Sequence, residues 1–183
     1  MIPVYVYDKG QCDPKKCTAK KMLKFGLAKE AKTISSIPKG AVVLSPFAEK
    51  ALSPADAYSA RKGLVVMDLT WTNIEGFPRV RGAEERGLPY LLASNPINWG
   101  RPMELNSAEA VLAALVILGE EEQASSFMGR FNWLPSSCGL TAIFSRTTPR
   151  LRTAREWSES RAIIWILFYD PMPNQPFVLG LVR

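Results

Sequence analysis

A chain of 183 residues with 47% apolar and 22% charged residues can build a real core, as one domain or two small ones. It contains no histidine, and its three cysteines (Cys12, Cys17 and Cys138) lack paired-ligand spacing. A Cys/His zinc site, a Ser-His-Asp triad and any histidine base are therefore excluded together. The net charge of +6 is unevenly spread: residues 1–62 carry +7, residues 63–139 carry −4 and residues 140–183 carry +3. All eleven lysines lie at or before Lys62. Such a basic amino-terminal third is the footprint of a polyanion binder, with a merely solvated surface as the alternative. No apolar run approaches ~20 residues and no signal-peptide pattern opens the chain, so a cytoplasmic protein without a membrane span is expected.

In chain order, Ile2–Tyr7 is β-branched and aromatic and reads as a strand ending at Asp8. A polar loop leads to Thr18, a helix cap for Ala19–Phe25, with Gly26 as the stop. Met22, Leu23 and Phe25 form the buried side of that helix, and Lys20, Lys21 and Lys24 the wet side. Ala41–Leu44 is the next strand, closed by Ser45-Pro46. Ser53-Pro54-Ala55-Asp56 has the cap, proline and acid of a helix start, and that helix runs to about Lys62. Gly63 ends it and delivers the chain into strand Leu64–Leu69. A turn-rich segment over Glu75–Gly87 follows, and then a strand over Leu88–Leu92. Ser107-Ala108-Glu109-Ala110 opens a nearly all-apolar helix that Gly119 stops, and Glu120 starts another reaching about Trp133.

Short apolar runs bounded by turn signals and alternating with helices predict an α/β fold. A parallel-sheet domain with flanking helices spans residues 1–92, and a mainly helical domain spans residues 93–183. Ligands of such sheets sit outside the carboxyl ends of the strands. That places Asp68, Trp71 and the Ala93–Asn95 turn around one crevice. No Gly-x-Gly-x-x-Gly fingerprint or Walker loop is present, so dinucleotide and NTP chemistry lack support. The strand-end loops instead suit a nucleoside-sized ligand in a mostly apolar slot. Taken singly, Asp68 is more often a structural acid and Trp71 more often core.

Four blocks add a resemblance. They are Asp13-Pro14-Lys15-Lys16-Cys17-Thr18-Ala19-Lys20-Lys21, Leu44-Ser45-Pro46 with Leu52-Ser53-Pro54-Ala55-Asp56, Met67-Asp68-Leu69-Thr70-Trp71, and Leu88 to Pro102 followed by Leu105 to Ala110. Over residues 2–133 the chain resembles the small-subunit rRNA aminocarboxypropyltransferases, ribosome-biogenesis enzymes related in fold to the SPOUT methyltransferases. After Trp133 the resemblance stops, and the tail reads as a helix followed by an ill-defined extension.

The resemblance implies S-adenosylmethionine as donor of a 3-amino-3-carboxypropyl group and methylthioadenosine as by-product. The acceptor is a ring nitrogen of a modified pseudouridine. It also implies a trefoil knot near Leu91–Asn106, which no spacing argument foresees because knots are so rare. The cofactor-binding positions it implies are Thr18, Leu44, Pro46, Met67, Asp68, Trp71, Leu91, Leu92, Asn106 and Ala110. Leu44, Pro46, Leu91 and Leu92 would sandwich the adenine, with backbone near Leu91 and Asn106 reading its edge. Backbone at Met67 would hold the ribose, and Thr18 the amino-acid tail. Trp71 would cover the methyl and sulfonium, adding a cation–π attraction of ~1–2 kcal/mol; unchanged cofactor affinity in Trp71→Ala would remove that role. Asp68 is the catalytic candidate, as electrostatic partner or proton acceptor. Lys15, Lys16, Lys20, Lys21, Arg61 and Lys62 are the RNA-binding candidates, with Arg79, Arg81 and Arg101 as second choices. The expected partner is rRNA of the small subunit, bound by a monomer without membrane or metal. A SPOUT-like RNA methyltransferase and a non-catalytic assembly factor are the two rival readings.

Overall fold

The computed structural model describes residues 1–10, 13, 16–69, 77–89, 91, 93 and 95–131. Trp71, Leu92, Lys15 and the tail expected as a helix lie outside them. Five parallel strands form one sheet, β1 (Val4–Asp8), β2 (Lys29–Glu30), β3 (Val42–Leu44), β4 (Leu64–Asp68) and β5 (Glu84–Arg86), in the order β2-β1-β4-β3-β5. The α-helices are α1 (Thr18–Lys24), α2 (Ala57–Ala60), α3 (Ser107–Ile117) and α4 (Glu121–Met128).

The pleat explains why the central strands read as unbroken apolar runs. Val4, Val6, Val42, Leu44, Leu64 and Val66 face one core together with α3. Tyr5, Tyr7, Val43, Val65 and Met67 face a second core with Ala31, Ile37 and Val80. A strand covered on both faces has no polar side to alternate with. α3 is buried all round except at Ala110 and packs against β4, α1 and α4. Gln123 of α4 imitates a neighbouring strand: its Oε1 accepts from Ile2 N and its Nε2 donates to Ile2 O, both at 2.7 Å. This joins the start of β1 to the helical layer.

Four local expectations are corrected. Leu88–Leu92 is not a strand at its described residues 88, 89 and 91. The next strand is instead Glu84–Arg86, within the segment read as turn-rich. An edge strand paired on one side needs no apolar side chains, and charge there discourages further pairing. Leu91 is still buried in the core, but its carbonyl accepts from Met103 N at 2.8 Å instead of joining the sheet. The second correction is the cap of α1, which is Cys17; Thr18 is already helical, and Cys17 Sγ accepts from Lys20 N at 3.4 Å. Third, Pro54–Asp56 forms a tight 3₁₀ turn before the four-residue α2, so the regular helix stops short of Lys62. Fourth, α4 ends at Met128, ahead of Gly129.

Candidate active site

Connectivity marks the site before any side chain is considered. The chain leaves β1 toward β2 on one side, whereas after β4 it passes beyond β3 to β5 on the other. Loops departing in opposite directions open a crevice between the carboxyl ends of β1 and β4. Asp8 and Asp68 are register partners at that point.

Each carboxylate is held. Asp8 Oδ1 accepts from Gly10 N at 2.6 Å, and Lys20 Nζ lies 3.8 Å from its Oδ2. Asp68 Oδ1 accepts from Ser107 Oγ at 2.6 Å, and its Oδ2 from Cys17 Sγ at 3.1 Å. Burial pushes the Cys17 thiol up from its ordinary value; Lys20 N–H opposes this and the Asp68 carboxylate adds to it. Cys17 is thus a protonated donor at neutral pH, not a thiolate nucleophile. Asp8, Cys17 and Asp68 offer three ligand atoms within 4.8 Å of one another. Lys20, Ser107 and the thiol proton already serve as the positive or donating partners of these two carboxylates.

Ser107 is in place because of how α3 begins. Asn106 is its cap: Oδ1 accepts from Ala108 N and Glu109 N, both at 3.0 Å. Glu109 closes the capping box by accepting from Asn106 N at 2.9 Å, on the same Oε2 that takes Asn95 Nδ2 at 2.7 Å. Asn95 and Glu109 are both buried. Asn95 Oδ1 accepts in turn from Ile97 N and Asn98 N at 3.2 and 2.9 Å. The loop between these anchors folds back on its own start: Ala93 N donates to Arg101 O, and Gly100 N donates to Ala93 O. Met103, at φ 61°, is the one non-glycine with left-handed backbone among the described residues. Its N–H donates to Leu91 O while its sulfur accepts from Leu91 N at 3.5 Å. Such strain persists only where surrounding contacts over-determine it.

The loop after β3 is fastened to the edge strand. Ser45 N donates to Arg86 O at 3.0 Å and Leu52 N to Gly87 O at 2.8 Å. Arg86 Nε donates to Asp56 Oδ1 at 2.8 Å, and Asp56 Oδ2 accepts from Ser53 N and Oγ. Pro46 therefore stands on a pinned loop.

Of the residues singled out from sequence, Asp68, Thr18, Met67, Leu44 and Pro46 all lie at strand carboxyl ends or at the start of α1 beside them. Leu44 and Leu91 are buried; Thr18, Met67, Asn106 and Ala110 are half-buried; Pro46 is exposed. The Asn106 side chain is spent on capping, so only its backbone is left to read a ligand. The basic residues are divided. Lys16, Lys20 and Lys21 flank the crevice, and Arg101 belongs to its loop. Arg61 and Lys62 instead precede β4, at the opposite edge of the sheet. Arg79 and Arg81 precede β5, where Gly82 O accepts from Gly40 N at 2.6 Å, so they lie at that opposite edge too. A five-residue strand separates the two edges by about 15 Å. Residues the sequence reading passed over are Asp8, Cys17, Ser107 and Glu109, whereas Asn95 was expected at the crevice as part of the Ala93–Asn95 turn. Only the Asn106–Glu109 capping-box spacing gave a local signal for any of them.

Comparison with known proteins identifies the family. Residues 42–143 match the family described as ribosome biogenesis protein, C-terminal. Residues 2–34 match a possible Fer4-like domain in RNase L inhibitor. An iron–sulfur cluster needs about four cysteine ligands. That stretch has only Cys12 and Cys17, and the Cys17 thiol is engaged with Asp68, so the residues do not fit such a cluster. The Methanosarcina mazei 16S rRNA aminocarboxypropyltransferase is 54% identical over 135 residues, covering 72% of this chain and 77% of its own. The Methanopyrus kandleri protein of the same name is 44% identical over 159 residues, covering 85% and 92%. That span carries the similarity past Trp133, where the sequence reading had ended it. A solved structure, the SAM-dependent rRNA:acp-transferase of Vulcanisaeta distributa, superposes with a TM-score of 0.75 at 30% identity, covering 90% of this chain and 95% of that one. The chain belongs to the 16S rRNA aminocarboxypropyltransferase family.

Proposed function

We propose that this protein transfers the 3-amino-3-carboxypropyl group of S-adenosylmethionine to a ring nitrogen of a modified pseudouridine in small-subunit rRNA, releasing methylthioadenosine. The observation that carries this reading is Asp68, fixed by Ser107 and Cys17 at the switch point of a parallel sheet. A crevice with apolar walls and few fixed polar groups suits a nucleoside. Leu44, Pro46 and Leu91 would hold the adenine, backbone at Met67 the ribose, and Thr18 the amino-acid tail. S-adenosylmethionine supplies a sulfonium whose three carbons are all electrophilic, so the pocket selects the reaction by the carbon it leaves open. Trp71 would cover the methyl group.

Asp68 then acts chiefly as a positioned negative charge. Both of its oxygens already accept a hydrogen bond, which fixes their direction and leaves less capacity for taking a proton. The neighbouring Asp8 is offset by Lys20. Catalysis rests on positioning and electrostatics, since the chain has no histidine and the Cys17 thiol is held protonated. The RNA face is narrower than the charge count suggested: of the described candidates, Lys16, Lys20, Lys21 and Arg101 serve the crevice. Arg61 and Lys62 can reach only a second segment of a long RNA. The target base must be unstacked to enter. The reading extends to a SPOUT-like trefoil knot through Leu91–Asn106. The burial of Leu91, Ala93 and Asn95 supports it, as a chain passing beneath a loop is covered.

The deciding experiment is incubation with carboxyl-labelled S-adenosylmethionine and small-subunit rRNA lacking the modification. Label in RNA with release of methylthioadenosine is the expected result. Release of S-adenosylhomocysteine would indicate a methyltransferase instead, and absence of cofactor binding an RNA-binding assembly factor.

A further inference from the structure

Large apolar side chains that stay exposed on a rigid backbone call for a partner. The loop between Asn95 and Asn106 carries three of them, Ile97 at 74%, Trp99 at 65% and Met103 at 39% exposure. Its backbone is tied at several points. Asn95 Oδ1 holds Ile97 and Asn98, Asn98 Nδ2 donates to Glu104 O at 3.1 Å, and Arg101 N donates to Asn98 O at 2.9 Å. Gly100, at φ +74°, makes the left-handed turn that follows Trp99. Both ends of the loop are fixed in the crevice: Leu91 and Ala93 pair with Met103 and Arg101, and Asn106 caps the helix whose Ser107 holds Asp68.

We infer that this loop is a stacking platform for an unpaired base of the RNA, with Trp99 as the stacking ring and Ile97 beside it. Three observations favour RNA as the occupant. An indole is a preferred stacking surface for bases in single-stranded RNA. Arg101 is two residues along the chain and 61% exposed at its side chain, and its 3.2 Å pair with Glu104 is a surface pair of the kind that yields readily to a phosphate. The flanking α1 contributes Lys20 and Lys21, so an aromatic surface lies on the same side of the sheet as a cationic one. A prebuilt loop also loses little conformational freedom on binding, which favours the contact. The platform would hold a base next to the target nucleotide and keep the target out of its stack.

This rests on the rRNA reading above, and the test separates the two. Binding of an oligouridylate is compared with that of an abasic ribose-phosphate strand of equal length, which keeps the charge and removes the bases. Wild type should prefer the oligouridylate by roughly tenfold, within the span known for base–aromatic stacking. Trp99→Ala should lose that preference while keeping its affinity for the abasic strand, its salt dependence and its melting temperature. Trp99→Phe should retain most of the preference. Equal preference in wild type and Trp99→Ala would overturn the stacking role and point to a protein partner for this surface. A wild type that binds neither strand, and releases no methylthioadenosine with rRNA, would overturn the reading beneath it.

Discussion

Replacing Glu109 tests whether one buried carboxylate holds the crevice together. Its Oε2 accepts from Asn95 Nδ2 and from Asn106 N, and the side chain is 5% exposed. Glu109→Ala removes the acceptor of two donors, Asn95 Nδ2 in a buried site and Asn106 N in a half-buried one. Each costs about 1–3 kcal/mol when unpaired. Loss of an acid in the first turn of α3 adds roughly 0.5 kcal/mol. A sum of about 3–4 kcal/mol lowers the melting temperature of a chain this size by roughly 10 °C. Glu109→Gln is the informative comparison, because one amide oxygen can still accept both bonds. It loses only the charge-assisted part, about 1 kcal/mol, or roughly 3 °C. Calorimetry gives the two shifts, and titration with S-adenosylmethionine shows whether affinity falls in the same order. If the alanine and glutamine variants melt within about 2 °C of each other, acceptance by Glu109 is not what secures the loop.

Three further outcomes follow from the same geometry. Asp68→Asn and Ser107→Ala should each slow transfer at least about tenfold, since one hydrogen bond to a charged group is worth about 1.5–3 kcal/mol. Single-turnover rates with separately measured cofactor affinity check this, and an Asp68→Asn rate within about twofold of wild type would refute the electrostatic role. Because the folded state raises the Cys17 thiol above its ordinary 9.0, the unfolded chain loses that proton first as pH rises. The resulting stability is whole below about pH 9 and fades above it. Urea midpoints at pH 8 and 10 should therefore drop more in wild type than in Cys17→Ala; identical drops would contradict the burial argument. Lys20→Ala with Lys21→Ala should flatten the salt dependence of RNA binding by about 0.7 per lost phosphate contact. Arg61→Ala with Lys62→Ala should change it less, and the reverse order would put the RNA on the opposite edge.

The parts of this molecule that its sequence determines by itself are those set within a few residues. The apolar runs of β3 and β4 and the Gly63 break all follow from local burial and backbone preference. So does the long apolar helix after Asn106. Asp68 and the crevice were legible too, since an acid ending a buried strand has few places to go. The edge strands were not. Lys29–Glu30 and Glu84–Arg86 pair through backbone alone, and their side chains carry no periodic signal. Leu91 misled for the opposite reason: it is as apolar as a strand residue, but its backbone bonds to Met103.

The tertiary structure alone decided which residues meet. Cys17 and Ser107 lie 51 and 39 positions from Asp68. They converge because β4 inserts beside β1 and α3 packs over it. The same strand order divides the basic residues between two edges, although charge along the chain ran them together. Local energetics select helix, strand and turn; strand order and packing, which couple distant residues through burial, select the site.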